Sequence, residues 1–140
     1  MTAIAYRDGI LAGDSHVAAN GVTYGFTTKG LKTKDNFLVA AAGSAVDGYK
    51  FLKAVKDGEI DTLEDLPYEN LDAILVYPDR KKIIHYEQKG VLVYEAPFHV
   101  LGAGSEMMVG AMEMGAGAEE AVRIACKHVH GCGGPIWVLK

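Results

Sequence analysis

Met1-Thr2-Ala3-Ile4-Ala5-Tyr6-Arg7-Asp8-Gly9-Ile10-Leu11-Ala12-Gly13-Asp14-Ser15 reads as a β-hairpin. Two short β-prone runs flank a turn at Arg7-Asp8-Gly9. A three-residue loop with Gly9 in the left-handed position would pair Tyr6 with Ile10, Ile4 with Ala12 and Thr2 with Asp14. Cross-strand partners share a face, so this register alone sets an acid beside Thr2. A two-residue Asp8-Gly9 turn shifts the register by one and moves Asp14 to the opposite face. The sequence accommodates both.

Thr2 follows the initiator methionine directly. Removing Met1 would expose a residue that carries a hydroxyl and a free α-amine together. The amine can take the hydroxyl's proton, which gives a nucleophile and a base without a histidine. An unperturbed α-amine has a pKa of about 8, so much of it is neutral just above physiological pH. The ordinary alternative is a small second residue that lets Met1 be trimmed.

Further along, Val22 to Thr28 is β-prone and Phe37 to Ala42 is a short apolar run, and the two are expected to pair. The second run ends at Ala42-Gly43-Ser44. Ser44 has the character of an N-cap, with Asp47 three residues on. The helix it opens carries Val46, Tyr49, Leu52 and Val55 at helical spacing and stops at Gly58. An irregular connection over 59 to 70 leads to four expected strands in an antiparallel meander: Ala73 to Tyr77, Lys82 to Glu87, Val91 to Glu95 and Phe98 to Leu101. Pro78-Asp79-Arg80 and Lys89-Gly90 supply turns. Gly102-Ala103-Gly104-Ser105 leads into a helix to about Met114, with Ser105 as its expected N-cap. Ala118 to about His128 is a second helix, with Ala121, Val122, Ile124 and Ala125 on one side, and Pro135 to Leu139 a last strand. Strands and helices segregated in this order predict an α+β fold, antiparallel sheets covered by helices.

The composition narrows the function classes. The 140 residues suffice for one domain, 1–140, with a real core. Hydrophobic residues make up 49% and charged residues 23%, a globular and not a disordered balance. A net charge of -4 without a basic patch disfavours nucleic acid. No apolar stretch is long enough to span a bilayer, and Arg7 and Asp8 interrupt any signal-like run. Cys126 and Cys132 do not suggest a disulfide framework. These features point to a cytoplasmic protein with no membrane partner.

The chain resembles the proteasome-type subunits of the N-terminal-nucleophile (Ntn) hydrolases, and in particular their small bacterial and phage relatives. Four ordered pieces carry the resemblance along nearly the whole chain. Thr2-Ala3-Ile4 with Asp8-Gly9 and Ala12-Gly13-Asp14-Ser15 is similar to the family's opening hairpin and aspartate. Lys29 stands fourteen residues before Gly43, the family's lysine-to-glycine spacing. Leu38 to Gly43 resembles the strand that ends in the oxyanion-hole glycine. Leu101-Gly102-Ala103-Gly104 and Gly133-Gly134 fall where later glycine-rich turns do.

The resemblance implies a four-layer αββα sandwich of two antiparallel sheets between helices. It implies a threonine-type peptidase without cofactor or metal, with Thr2 as nucleophile and its amine as base. Lys29 would favour the ionised hydroxyl by its positive charge. Asp14 would hold Lys29, and the Gly43 backbone N–H would stabilise the oxyanion. Val17, Thr27, Leu31, Ala41 and Ala45 fall at the family's pocket-lining positions. They would form a roomy, mostly apolar pocket for large hydrophobic side chains. The implied partners are a peptide or unfolded protein substrate, further copies of the chain in a ring or stack, and an ATPase unfoldase.

Three positions depart from the family pattern. Ala103 stands where a serine helps hold the amine, and Val129 and Cys132 stand where an aspartate and a serine are usual. They keep an inactive structural subunit in view; an amidase acting on small amides is a further alternative, since the same nucleophile serves both reactions. Lys32 and Lys34 are rivals to Lys29. Cys126, His128, His130 and Cys132 have zinc-ligand chemistry but poor spacing, so no metal site is expected. His16 lies beside the hairpin end, where it could touch the active site, with a surface or packing role as the ordinary alternative; His85 and His99 read as hydrogen-bonded fillers. Met107, Met108, Met112 and Met114 share one short helix, where core packing is the default.

Overall fold

A computed structural model describes residues 1–58, 68–87 and 90–140. The opening hairpin, β1 (Ala3–Arg7) and β2 (Ile10–Gly13), closes through a two-residue turn. Arg7 pairs with Ile10 and Ile4 with Gly13, so the three-residue register is not the one adopted. Asp8 (φ 51°) and Gly9 (φ 81°) both take left-handed conformations. That is the turn whose twist matches antiparallel strands, and Asp-Gly is among the pairs that accept it.

The next elements correct a second expectation. Val22–Phe26 (β4) pairs not with the run at 37–42 but with β3 (His16–Ala19). The turn between them is Asn20-Gly21, again with positive φ (53° and 75°). β5 (Gly30–Lys32) takes the place beside β6 (Leu38–Gly43). β7 (Leu71–Val76), β8 (Lys82–Glu87) and β9 (Gly90–Glu95) continue as a meander. β10 (Phe98–Gly102), expected to extend that meander, crosses to pair with β1. Residues 59–67 of the expected irregular connection, and Lys89 of the Lys89-Gly90 turn, lie outside the described residues.

Among the described residues there are two main antiparallel sheets, β10-β1-β2-β11 (β11 being Trp137–Leu139) and β5-β6-β7-β8-β9. Ile4, Tyr6 and Leu11 of the first meet Leu38, Ala40, Ile74, Val76 and Ile83 of the second in a shared core. Leu38 to Ala42 is buried on both faces, which is why β6 reads as an unbroken apolar run. Each fully buried aliphatic side chain there contributes about 1.5–3 kcal/mol.

Helices cover both outer faces, which completes four layers. α1 (Ala45–Lys56) packs on the second sheet through Phe51, Ala54 and Val55. Ser44 caps it as expected, accepting from the Asp47 N–H at 3.3 Å. Its buried face runs through Gly48, Phe51 and Val55, so Val46 and Tyr49 of the expected stripe are exposed. α2 (Ser105–Glu113) and α3 (Ala118–His128) cover the first sheet through Met108, Met112, Ala121, Val122 and Ala125. Met107 and Met114 face outward. Ser105 is not the N-cap of α2. Gly104 holds that position at φ 76°, and the Ser105 hydroxyl donates to the Gly102 carbonyl at 2.6 Å. The Arg7 guanidinium donates to the carbonyls of Met112 and Ala116, which ties β1 to the end of α2. No helix among the described residues is long and apolar enough to cross a membrane.

Candidate active site

Asp14 is fully buried and its carboxylate is saturated with donors. Oδ1 accepts from the Ala3 N–H at 3.0 Å and from Lys29 Nζ at 3.0 Å. Oδ2 accepts from the Gly133 N–H at 3.2 Å and the His16 N–H at 3.4 Å. A buried carboxylate is tolerable only with such partners. The two-residue turn explains how it arrives there. Asp14 continues the ladder opposite Ala3, donating its N–H to the Ala3 carbonyl at 3.0 Å. It therefore reaches the N-terminus through the Ala3 amide and Lys29, not as the cross-strand partner of Thr2.

Of the three candidate lysines, Lys29 carries the bond to Asp14. Its ammonium also donates to the Met1 carbonyl at 3.2 Å, beside Thr2. Its own carbonyl accepts from Ala41 at 3.0 Å, which ties it to the strand ending in Gly43. Thr2 is gripped by backbone. The Ala103 N–H donates to the Thr2 carbonyl at 2.6 Å. Gly102, at φ 81°, lies so close that a Cβ there would fall on that carbonyl. The turn thus holds Thr2 without help from the side chain of residue 103.

Gly43 turns the chain from β6 into α1 at φ 98°. A Cβ at this position would stand 2.5 Å from the Asn70 carbonyl oxygen. That same oxygen accepts from the Ser44 N–H at 2.9 Å. The Asp47 carboxylate accepts from the Glu69 and Asn70 N–H groups at 3.0 and 2.8 Å. The start of β7 and the first turn of α1 therefore lock each other around Gly43.

A cleft of about 420 Å³ opens here, lined by Thr2, Lys29 and Gly43 together with Val17, Thr27, Ala41 and Ala45. Leu31, expected in the same pocket, does not line it; it packs against the core beneath α1. It pairs with Val39, one pleat deeper than Ala41, so it shares the face but not the opening. His16, for which a contact with the active site was one reading, lines the cleft; so do Gly48, Tyr49 and Leu52, which the sequence reading did not place in the pocket. Helical spacing from Ala45 was the signal that would have found the last three. The His16 ring bonds the Gly131 carbonyl through Nδ1 at 2.9 Å and the Thr23 hydroxyl through Nε2 at 2.7 Å. A carbonyl only accepts, so Nδ1 carries the proton.

The loop after α3 closes the rear of the site. Gly133 donates to Asp14 and accepts from the Ser15 N–H, and Gly131 lies against the Met1 side chain. Trp137 spans the two sheets by covering Gly13 and Gly30, and its indole N–H donates to the Asp14 carbonyl at 2.8 Å. Val129 packs against the Gly104 turn. Burial pushes the Cys126 thiol up to about 11 and raises Cys132 as well, with the Asp14 charge adding to both. Both thiols are protonated at neutral pH and offer no rival nucleophile. Among the described residues no group of three or more His, Cys, Asp or Glu side chains could hold a metal ion.

No protein-family model and no curated protein matches the chain by sequence. Solved structures do match, over nearly its full length. BPH from Thiobacillus denitrificans in complex with epoxomicin superposes with a TM-score of 0.70 at 20% identity, covering 99% of this chain and 96% of that one. Eukaryotic HslV from Trypanosoma brucei gives 0.75 at 18% identity, covering 99% and 98%. The fold is that of the proteasome-like Ntn hydrolases. At this identity the fold is what is shared, and it accounts for the architecture around the cleft. Two sheets face each other so that β1 brings Thr2, and β6 brings Gly43, to one end of the sandwich. The α+β class and the layered arrangement read from the sequence agree with it.

Proposed function

We propose that this chain is a threonine-type peptidase that acts through Thr2 once Met1 is removed. The observation that carries this reading is the Lys29 ammonium, held by buried Asp14 and directed at the peptide group between Met1 and Thr2, at the head of an apolar cleft. The Thr2 hydroxyl attacks the substrate carbonyl carbon and its proton passes to the α-amine. The Gly43 N–H stabilises the tetrahedral oxyanion, a contact worth a few kcal/mol. Collapse breaks the C–N bond, and the α-ammonium returns the proton to the departing amine. Water then hydrolyses the acyl ester, with the amine again as base. Lys29 keeps a positive charge beside the hydroxyl throughout.

Likeness in fold to HslV and BPH supports a self-compartmentalising oligomer of this chain acting on peptides or unfolded protein, with an ATPase partner, in the cytoplasm. The competing reading is an inactive structural subunit, favoured by Ala103 and Val129, which leave the amine without side-chain polar support from those positions. A panel of fluorogenic peptides and small acyl amides, assayed on the chain and on Thr2→Ala, separates these. Peptide turnover lost in Thr2→Ala is the expected result. Turnover of amides alone makes the chain an amidase, and no turnover of either makes it a structural subunit.

Val17, Thr27, Ala41 and Ala45 make the substrate-binding pocket on this reading. Ala45 lines the cleft but is solvent-exposed, so added bulk there has room on the protein side. Ala45→Met raises KM about tenfold for peptides with a large hydrophobic residue before the cut, while small residues are spared. Thermal stability stays within about 0.5 kcal/mol of the parent. Equal effects on large and small residues would remove Ala45 from the pocket.

A further inference from the structure

A second polar cluster lies between the sheets, outside the cleft. His85 Nε2 bonds Asp72 Oδ1 at 2.5 Å, from β8 to β7. The His85 ring meets the His99 ring edge-on, with centroids 4.9 Å apart and planes at 65°. His99 Nδ1 in turn bonds the Tyr94 hydroxyl. Asp72, His85 and Tyr94 belong to the β5–β9 sheet and His99 to the other, so the chain of contacts crosses the sandwich.

Its ends lie next to both halves of the cleft. Asp72 pairs with Ala42, the neighbour of Gly43, and stands two residues from Asn70, whose carbonyl fixes Ser44. His99 is three residues before Gly102, on the strand whose end grips Thr2. We propose that Asp72, His85, His99 and Tyr94 are positioning residues, a strut that sets Thr2 on one sheet against Gly43 on the other. The proposal rests on the peptidase reading for its effect on rate, and on geometry alone for its effect on spacing.

The strut responds to protons. On β8, Glu87 stands directly across from Asp72 and is exposed; β6 presents the uncharged Leu38, Ala40 and Ala42 on this face; on β1 the Tyr6 hydroxyl is committed to the Arg80 carbonyl. Like charges opposite one another repel, and a proton on His85 relieves the Asp72–Glu87 pair. The hydrogen bond to Asp72 raises His85 above its usual value against some burial. Burial, with the His85 charge behind it, lowers His99 to about 4. The stability from His85 is therefore full below its unfolded value and lost as pH rises through its raised one. His99, kept neutral, costs stability as pH falls from its unfolded value of 6.5 towards about 4.

NMR of the full ¹⁵N-labelled chain between pH 5 and 9 tests the strut without requiring activity. The amides of Gly43, Ser44 and Ala103 are expected to shift with the midpoint of the His85 ring and to lose that step in His85→Gln. Amides that stay flat while His85 titrates overturn the proposal. Should His85→Gln not fold, His99→Gln serves instead, since it breaks the crossing and leaves the Asp72–His85 bond; the step then persists at Gly43 and vanishes at Ala103. In peptide hydrolysis, His85→Gln lowers kcat about tenfold at unchanged KM and removes the alkaline limb of the pH profile, short of the hundredfold cost of an ångström's misplacement. A parent-like pH profile with only a lower melting temperature makes the cluster structural and overturns the proposal. If the parent chain cleaves nothing, the peptidase reading fails, and the amide titration still decides the strut.

Discussion

Lys29→Ala lowers kcat/KM by about a thousandfold, the scale on which a single well-placed electrostatic group acts in a water-poor site. It also destabilises the protein, because Asp14 is fully buried and loses its cation. Removing one partner of a buried pair typically costs about 3–5 kcal/mol. The lower end applies here, because three backbone N–H groups still hold the Asp14 carboxylate. Turnover of the best peptide and a denaturant midpoint measure the two losses separately. Lys29→Arg divides them further. A guanidinium restores charge to Asp14, and with it most of the stability, but its planar fork does not reproduce an ammonium point charge beside Thr2. A Lys29→Ala protein with near-parent turnover would take Lys29 out of the mechanism.

Gly43→Ala lowers kcat by about 10²–10³-fold, as expected when an oxyanion donor is displaced. The displacement has two sources. A residue with a Cβ is strained at φ 98° by about 1–2 kcal/mol. The Cβ also meets the Asn70 carbonyl at 2.5 Å, and that oxygen cannot retreat without breaking its bond to Ser44. Gly58→Ala is the control: the same left-handed region at φ 83°, with nothing within 4 Å of an added Cβ among the described residues. Gly58→Ala should lose about 1–2 kcal/mol and no activity. If Gly43→Ala behaves the same way, the oxyanion role at Gly43 is refuted.

Short-range signals in the sequence were the legible ones. Ser44 with Asp47 marked the start of α1, and the apolar run at Leu38 to Ala42 marked a strand buried on both sides. Lys29, Asp14 and Gly43 were singled out by the family resemblance, and they lie together at one end of the sandwich. What could not be read was long-range choice. The hairpin register turned on whether Asp8 would accept a positive φ, and the one-residue difference moved Asp14 from Thr2 to Ala3. Asn20-Gly21 was a hairpin signal that the β-prone run at Val22 masked. β10 left the meander because β1 offered its open edge, a preference no local pattern encodes. Leu31 and Tyr49 show the same limit within the cleft. One is turned into the core by the depth of a pleat, and the other is brought to the opening by the phase of α1. Trp137 joined the site only because Gly13 and Gly30 leave room for its ring.

The most direct test of the Thr2 nucleophile is the intact mass of the purified protein before and after a peptide epoxyketone, which captures an N-terminal threonine through hydroxyl and amine together. The account predicts a mass lacking Met1, one adduct per chain, and no adduct on Thr2→Ala. A chain that lacks Met1 and still takes no adduct would contradict it.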